Sequence, residues 1–91
     1  MSSDALDATL DERGKRYGKF IEHAAISQSL KQQLKFGDGW SALATDQKEA
    51  LEMIAHKMAR ILNGDPNYAD SWIDIAGYAK LVADRLEGTV R

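Results

Sequence analysis

The pattern of apolar and polar residues is clearest in the second half of the chain, where it has the period of an amphipathic helix. After a predicted N-cap at Thr45, apolar side chains recur at the spacing of one helical face: Leu51, Ile54, Ala55, Met58, Ile61 and Leu62. Asn63-Gly64 supplies a stop, and Asp65-Pro66 supplies the N-cap and first-turn proline of a fourth helix that ends near Leu86. Because only this short turn separates them, we predict that helices three and four form an antiparallel hairpin.

The first half of the chain has a weaker helical pattern. We predict a short helix from Asp4 to Arg13, a second helix from Lys19 to about Lys35, and a glycine-containing loop at residues 36–44. No segment alternates with a period of two, so strands are not expected. The predicted fold is therefore one all-α domain over residues 1–91, with a short N-terminal helix and three longer helices.

The composition excludes several classes of protein. With 44% hydrophobic and 29% charged residues, the 91-residue chain has the composition of a globular domain. Its net charge of −2 argues against a dedicated nucleic-acid binder. The chain has no cysteine, which excludes disulfides and thiolate catalysis. It also lacks a long apolar run or a signal-peptide pattern, so we expect a cytoplasmic protein that does not enter a membrane.

The predicted fourth helix has apolar residues on two sides. Its main stripe, which we expect to face the core, contains Tyr68, Trp72, Ile75, Ala79, Val82 and Leu86. The opposite side contains Asp70, Asp74, Gly77, Tyr78 and Leu81. A glycine inside a helix costs about 1 kcal/mol relative to alanine, so close approach of a partner or ligand would explain Gly77. We therefore expect this helix to be contacted on both sides and the protein to form a homo-oligomer.

Two acidic residues on that opposite side, Asp70 and Asp74, are four residues apart and repel each other on a helix. They should have partners, and Lys57 and Arg60 of the third helix are the natural ones because the hairpin brings the two helices together. Two interpretations remain open. The four residues form a structural ion-pair network, or the acids, with Tyr78 beside them, hold a divalent cation or bind a ribose or base.

A second polar row contains Glu49, Glu52 and His56 on the third helix. A solvated face is the simpler interpretation. Metal binding is the alternative, although Glu52 and His56 alone would supply only two ligands. His23 lies on an apolar face of the second helix, and we predict that it is a core histidine.

A cationic segment lies between Arg13 and Lys19, where two glycines flank Lys15, Arg16 and Tyr17. Exposed glycine backbone and cationic side chains suit a phosphate, and the tyrosine ring could stack on a base. The alternative is a solvated turn with Tyr17 packed on the core.

Three segments resemble known proteins: ERGKRYGKF, QKEALEMIAHKMARIL and GDPNYADSWIDIAGYAKLV. In this order they resemble a family of small tailed-phage and prophage proteins of unknown function. More distantly, the chain is similar to the nucleotide-modification-associated domains of phages and to the all-α nucleoside triphosphate pyrophosphatases of the MazG type. A phage origin would imply evasion of host defence, including sequestration of a nucleotide signal in the host cytoplasm.

The similarity to MazG-type enzymes also implies a magnesium site. Its ligands would be Glu49 and Glu52 on the third helix, and Asp70 and Asp74 on the fourth. The doubled glutamate typical of those enzymes is missing, because Lys48 precedes Glu49. This difference favours nucleotide binding over catalysis.

We therefore expect a protein that binds a nucleotide or nucleotide-derived ligand without efficient turnover and without a cofactor. The expected ligand-binding residues are Lys15, Arg16, Tyr17, Lys57, Arg60, Asp70, Asp74 and Tyr78. The first alternative is a magnesium-dependent pyrophosphatase that uses the four carboxylates. The second is a protein-binding inhibitor that uses Trp40 and the second side of helix four.

Overall fold

The computed structural model describes residues 3–91, which form four α-helices and contain no strand. The helices are α1 (Ser3–Tyr17), α2 (Phe20–Lys35), α3 (Thr45–Asn63) and α4 (Ala69–Leu86), with a short 3-10 helix at Trp40–Ala42. α3 is central and packs against α2 on one side and α4 on the other, while α1 makes fewer contacts with α2 and α3. The predicted all-α fold and the α3–α4 hairpin are confirmed.

Three predicted helix ends differ from the structure. α1 continues through Gly14 to Tyr17, so the cationic segment is the last helical turn rather than a loop. The N-cap of α3 is Ala44 rather than Thr45, and its N–H donates to the Gln47 side chain at 2.8 Å. Asp65 does not cap α4, because its carboxylate accepts the N–H of Asn67 at 2.9 Å in a turn that precedes the helix.

The α1–α2 turn and the α3–α4 turn pack directly on each other, and we call this contact the turn junction. The Asn63 side-chain amide donates to the carbonyls of Tyr17 at 3.0 Å and Lys19 at 3.2 Å. Gly18 has a φ of +76°, and a Cβ there would overlap the Asn63 carbonyl. A Cβ on Gly64 would overlap the backbone of Arg16 and Tyr17. The junction therefore fixes the C-terminal end of α1 against the hairpin.

The interior of the chain is made of small side chains. Among the described residues, the buried ones are His23, Ser27, Ala50, Ala55, Ala59 and Ser71. Several large apolar residues from the predicted core stripes are instead exposed: Leu51, Met58, Leu62, Trp72 and Leu86. α4 faces α3 with Ser71, Asp74 and Tyr78. Ile75 and Val82 of the predicted core stripe are half-buried, so the predicted orientation of α4 is wrong in part. Small residues allow close helix approach, whereas the large residues point away from the hairpin contact.

The described part of the chain has no helix long and apolar enough to cross a membrane.

Candidate functional site

Cationic and aromatic side chains alternate beside the turn junction. The Arg60 guanidinium lies 4.2 Å from the centroid of the Tyr17 ring, and the Arg16 guanidinium lies 4.2 Å from that of Tyr68. The two tyrosine rings meet edge to face, with centroids 6.2 Å apart. Cation–π contacts of this kind fix the orientation of both partners. The structure therefore brings together Arg16, Tyr17 and Arg60, three of the residues predicted to bind a ligand.

Asp70 joins this group through Tyr68, whose hydroxyl donates to the Asp70 carboxylate at 2.8 Å. This hydrogen bond raises the pKa of Tyr68 above its ordinary value. Tyr68 was predicted to lie in the core stripe, and its contact with Asp70 was not predicted. The only sequence signal for this contact was an aromatic residue just after the Asp65-Pro66 turn.

The remaining predicted ligand-binding residues lie elsewhere. The Lys57 ammonium pairs with the Asp74 carboxylate at 3.0 Å, which is the predicted ion pair between the hairpin helices. Because the Asp74 side chain is 45% exposed, this pair is worth at most about 1 kcal/mol. Tyr78 is half-buried between α3 and α4, and Lys15 is exposed in the last turn of α1.

A cleft of about 530 Å³ opens between α1 and the α2–α3 pair, and we call it the α1 cleft. Its volume is typical of a small-molecule site. The cleft is lined by Leu10, Arg13, Gly14, Tyr17, Gly18, Lys19, Phe20, His23, His56 and Arg60. Three of these residues are cations and none is acidic, although the chain carries a net charge of −2. The cleft therefore combines an apolar and aromatic wall with a local excess of positive charge.

Two histidines form the inner wall of this cleft. The rings of His23 and His56 meet edge to face with centroids 4.6 Å apart. Burial, together with the neighbouring His23, Arg60, Lys31 and Lys57, lowers the pKa of His56 to about 4. Burial and Arg60 also lower the pKa of His23. Both rings are neutral at pH 7. Each ring can therefore donate one hydrogen bond and accept one, and neither ring carries a charge that would repel the neighbouring cations.

The position of His23 agrees with the prediction of a core histidine, since it is only 4% exposed. The prediction that His56 belongs to a solvated row is wrong, because its ring packs on His23. The Nδ1 atom of His23 and the hydroxyl of Ser27 are both buried without a hydrogen-bond partner. The sequence indicates that this side of α3 is packed, because it contains Ala55 and Ala59. Their small side chains allow α2 to approach α3.

The four carboxylates of the expected magnesium site do not converge. Glu52 lies beside α2, near Lys31 and Lys35, whereas Glu49 lies on the other side of α3, near Tyr78 of α4. Asp70 accepts from Tyr68, and Asp74 pairs with Lys57. Within residues 3–91, no three His, Cys, Asp or Glu side chains are close enough to share a metal ion. The arrangement of Glu49, Glu52, Asp70 and Asp74 thus differs from the one that the resemblance implies.

The fold and the cleft define the class of this protein: a small all-α domain with a cationic and aromatic cleft beside its N-terminal helix. The chain belongs to the family described as a domain of unknown function, DUF6378, whose model matches residues 2–86. Searches of curated proteins and of solved structures found no match. Because the family description names no activity, function is inferred from the geometry of the α1 cleft.

Proposed function

We propose that this protein binds a nucleotide or nucleotide-derived ligand in the α1 cleft without efficient turnover. The observation that carries the proposal is the composition of the cleft wall, in which Arg13, Lys19 and Arg60 supply positive charge and no side chain supplies negative charge. Three neighbouring cations of this kind suit a phosphate or diphosphate, which is a common anionic ligand.

The aromatic side chains of the cleft support a base or another flat ring as the second part of the ligand. Phe20 lines the cleft and is 78% exposed, so its ring is available for stacking. Tyr17 is already held by Arg60 and presents a preorganised edge of the cleft. Stacking on an aromatic side chain contributes about 1–3 kcal/mol per base.

The positions of the carboxylates support the proposal of binding without turnover. Hydrolysis of a nucleotide by a two-carboxylate or metal-assisted route needs acidic groups next to the phosphates. The residues that line the α1 cleft include no acid, and Asp74 is engaged by Lys57. In a phage, to whose proteins the sequence bears a resemblance, such a protein would sequester a nucleotide signal in the host cytoplasm.

The test compares two cations on the same helix. Arg13 lines the α1 cleft, while Lys15 is an exposed cation two residues further along and does not line it. Thermal shift and calorimetry with nucleotides, cyclic dinucleotides and ADP-ribose should identify a ligand whose binding survives EDTA. Arg13→Gln should then weaken binding by about 10-fold or more, since one charge-assisted contact is worth about 1.5–3 kcal/mol. Lys15→Gln removes the same charge and should change affinity by less than about 2-fold.

Three outcomes would contradict the proposal. No response to any nucleotide would favour the protein-binding alternative. An equal loss of affinity in Arg13→Gln and Lys15→Gln would indicate only a general electrostatic attraction. Release of pyrophosphate that needs magnesium and is abolished by Glu52→Gln would establish an enzyme instead of a binding protein.

A further inference from the structure

A second surface of the molecule, on the side opposite α1, is apolar and exposed. Successive residues of a helix are rotated by about 100°. On α4, Ser71 and Tyr78 face α3, and Arg85 pairs with Asp46 of α3. The residue after each of the three is therefore turned to one side of the hairpin. The residues that follow Ala50 and Lys57 on α3 are turned to the same side, because the two helices are antiparallel. These residues, with Leu62 one turn further on, make up what we call the open face: Leu51, Met58, Leu62, Trp72, Ala79 and Leu86.

The contacts of α1 establish that this helix lies on the other side. Arg60 of α3 meets Tyr17, and Tyr68, which precedes α4, meets Arg16. Both contacts are on the side of the hairpin away from Met58. No helix within residues 3–91 therefore covers the open face.

We propose that the open face is where a second copy of this chain binds, so that the α3–α4 hairpins of two copies form one core. The face has no charged residue, so two identical faces can meet about a two-fold axis without placing like charges together. Met58 and Trp72 would supply the large buried side chains that the single chain lacks, since its buried hydrophobic residues in the described range are three alanines.

The exposed area of the chain agrees with a missing partner of this size. The chain exposes 6463 Å², whereas a compact monomer of 10.1 kDa exposes about 5,300 Å². The excess of about 1,200 Å² is larger than the roughly 800 Å² that each partner buries in a standard interface. The radius of gyration, 15.4 Å, is likewise larger than the roughly 12 Å of a compact 91-residue domain. The exposed side chains of α1 account for part of both differences, and the exposed large residues of the open face, such as Leu62 and Trp72, account for a further part.

The experiment compares Met58→Glu on the open face with Ile73→Glu on the side of α4 that is turned away from α3. Met58 is 41% exposed in the single chain and Ile73 is 63% exposed, so neither charge would be buried in a monomer. Analytical ultracentrifugation at micromolar concentration should give twice the 10.1 kDa mass for the unmodified chain and for Ile73→Glu. Met58→Glu should sediment as a monomer, with a dissociation constant about 100-fold higher, because the two-fold interface would bury an unpaired charge from each copy.

A second measurement keeps the proposal testable if Met58→Glu does not fold. The thermal midpoint of the unmodified chain should rise with protein concentration, as it does when folding and association are linked. A monomer across the micromolar range with a constant midpoint would overturn the proposal. So would dissociation by Ile73→Glu but not by Met58→Glu, which would place the interface elsewhere. Neither result bears on ligand binding in the α1 cleft, because the two surfaces lie on opposite sides of α3.

Discussion

Protonation of the buried histidine pair should destabilise this protein in mildly acidic solution. His56 packs on His23 between α2 and α3. Burial lowers its pKa to about 4, with smaller contributions from His23 and from the cations Arg60, Lys31 and Lys57. In the unfolded chain the same imidazole has a pKa near 6.5. The unfolded state therefore binds more protons below pH 6.5, and the free energy of unfolding must fall as the pH falls.

The size of this effect follows from the two pKa values of His56. At pH 7.5 the imidazole is neutral in both states and costs almost nothing. At pH 5 the free energy of unfolding is lower by about 2 kcal/mol because of His56, and this loss levels off at about 3 kcal/mol below pH 4. His23, whose pKa is lowered in the same direction, adds to the loss. Asp46 and Asp84 have pKa values below 3.8, held there by hydrogen bonds from Arg85 and Lys80 respectively, so they add their own losses only below about pH 4.

Urea denaturation followed by circular dichroism at pH 7.5, 6.5 and 5.0, at one fixed protein concentration, measures this dependence. The free energy of unfolding of the unmodified chain should decrease by about 2 kcal/mol or more between pH 7.5 and 5.0. His56→Gln removes one of the titrating groups and should reduce the slope. A change below about 0.5 kcal/mol in the unmodified chain would refute the reasoning, because it would mean that the histidines are solvated or paired with an acid.

Two glycine substitutions test the packing of the fold by chemical denaturation. Gly64→Ala should destabilise the chain by about 1–3 kcal/mol, because a Cβ there overlaps the backbone of Arg16 at the turn junction; an unchanged stability would mean that the two turns are not in contact. Gly77→Ala should instead stabilise the chain by about 0.5–1 kcal/mol, because its Cβ would point into open space on an exposed part of α4. A loss of stability in Gly77→Ala would reveal a partner packed closely against this residue.

Periodicity was sufficient to predict the helices and the hairpin, because both depend on local spacing and on a short turn. It was not sufficient to orient α4. A stripe of large apolar residues indicates burial but does not distinguish burial within one chain from burial against a second copy. In this chain the contact between α3 and α4 uses small residues such as Ala50 and Ser71, while Trp72 is 54% exposed.

The candidate site was predictable only in part, because residue type indicates some of its contacts and the packing of the helices determines the others. Tyr17 and Arg60 stood out by residue type, and Asp74 needed a cation that the hairpin could supply. The α1 cleft could not be derived, because it depends on α1 continuing through Gly14, a residue whose type favours a turn. The contact between His23 and His56 depends on the register of α2 against α3, which no local pattern encodes.

A titration of the 15N-labelled protein with ADP tests ligand binding in the α1 cleft most directly. The glycine amide resonances serve as internal reporters, because Gly14 and Gly18 line the cleft while Gly37 and Gly39 lie in the loop after α2. We predict saturable shifts of the Gly14 and Gly18 resonances, with those of Gly37 and Gly39 unchanged. Resonances that do not move at millimolar ADP, or shifts confined to Gly77 on α4, would contradict a nucleotide site in the α1 cleft.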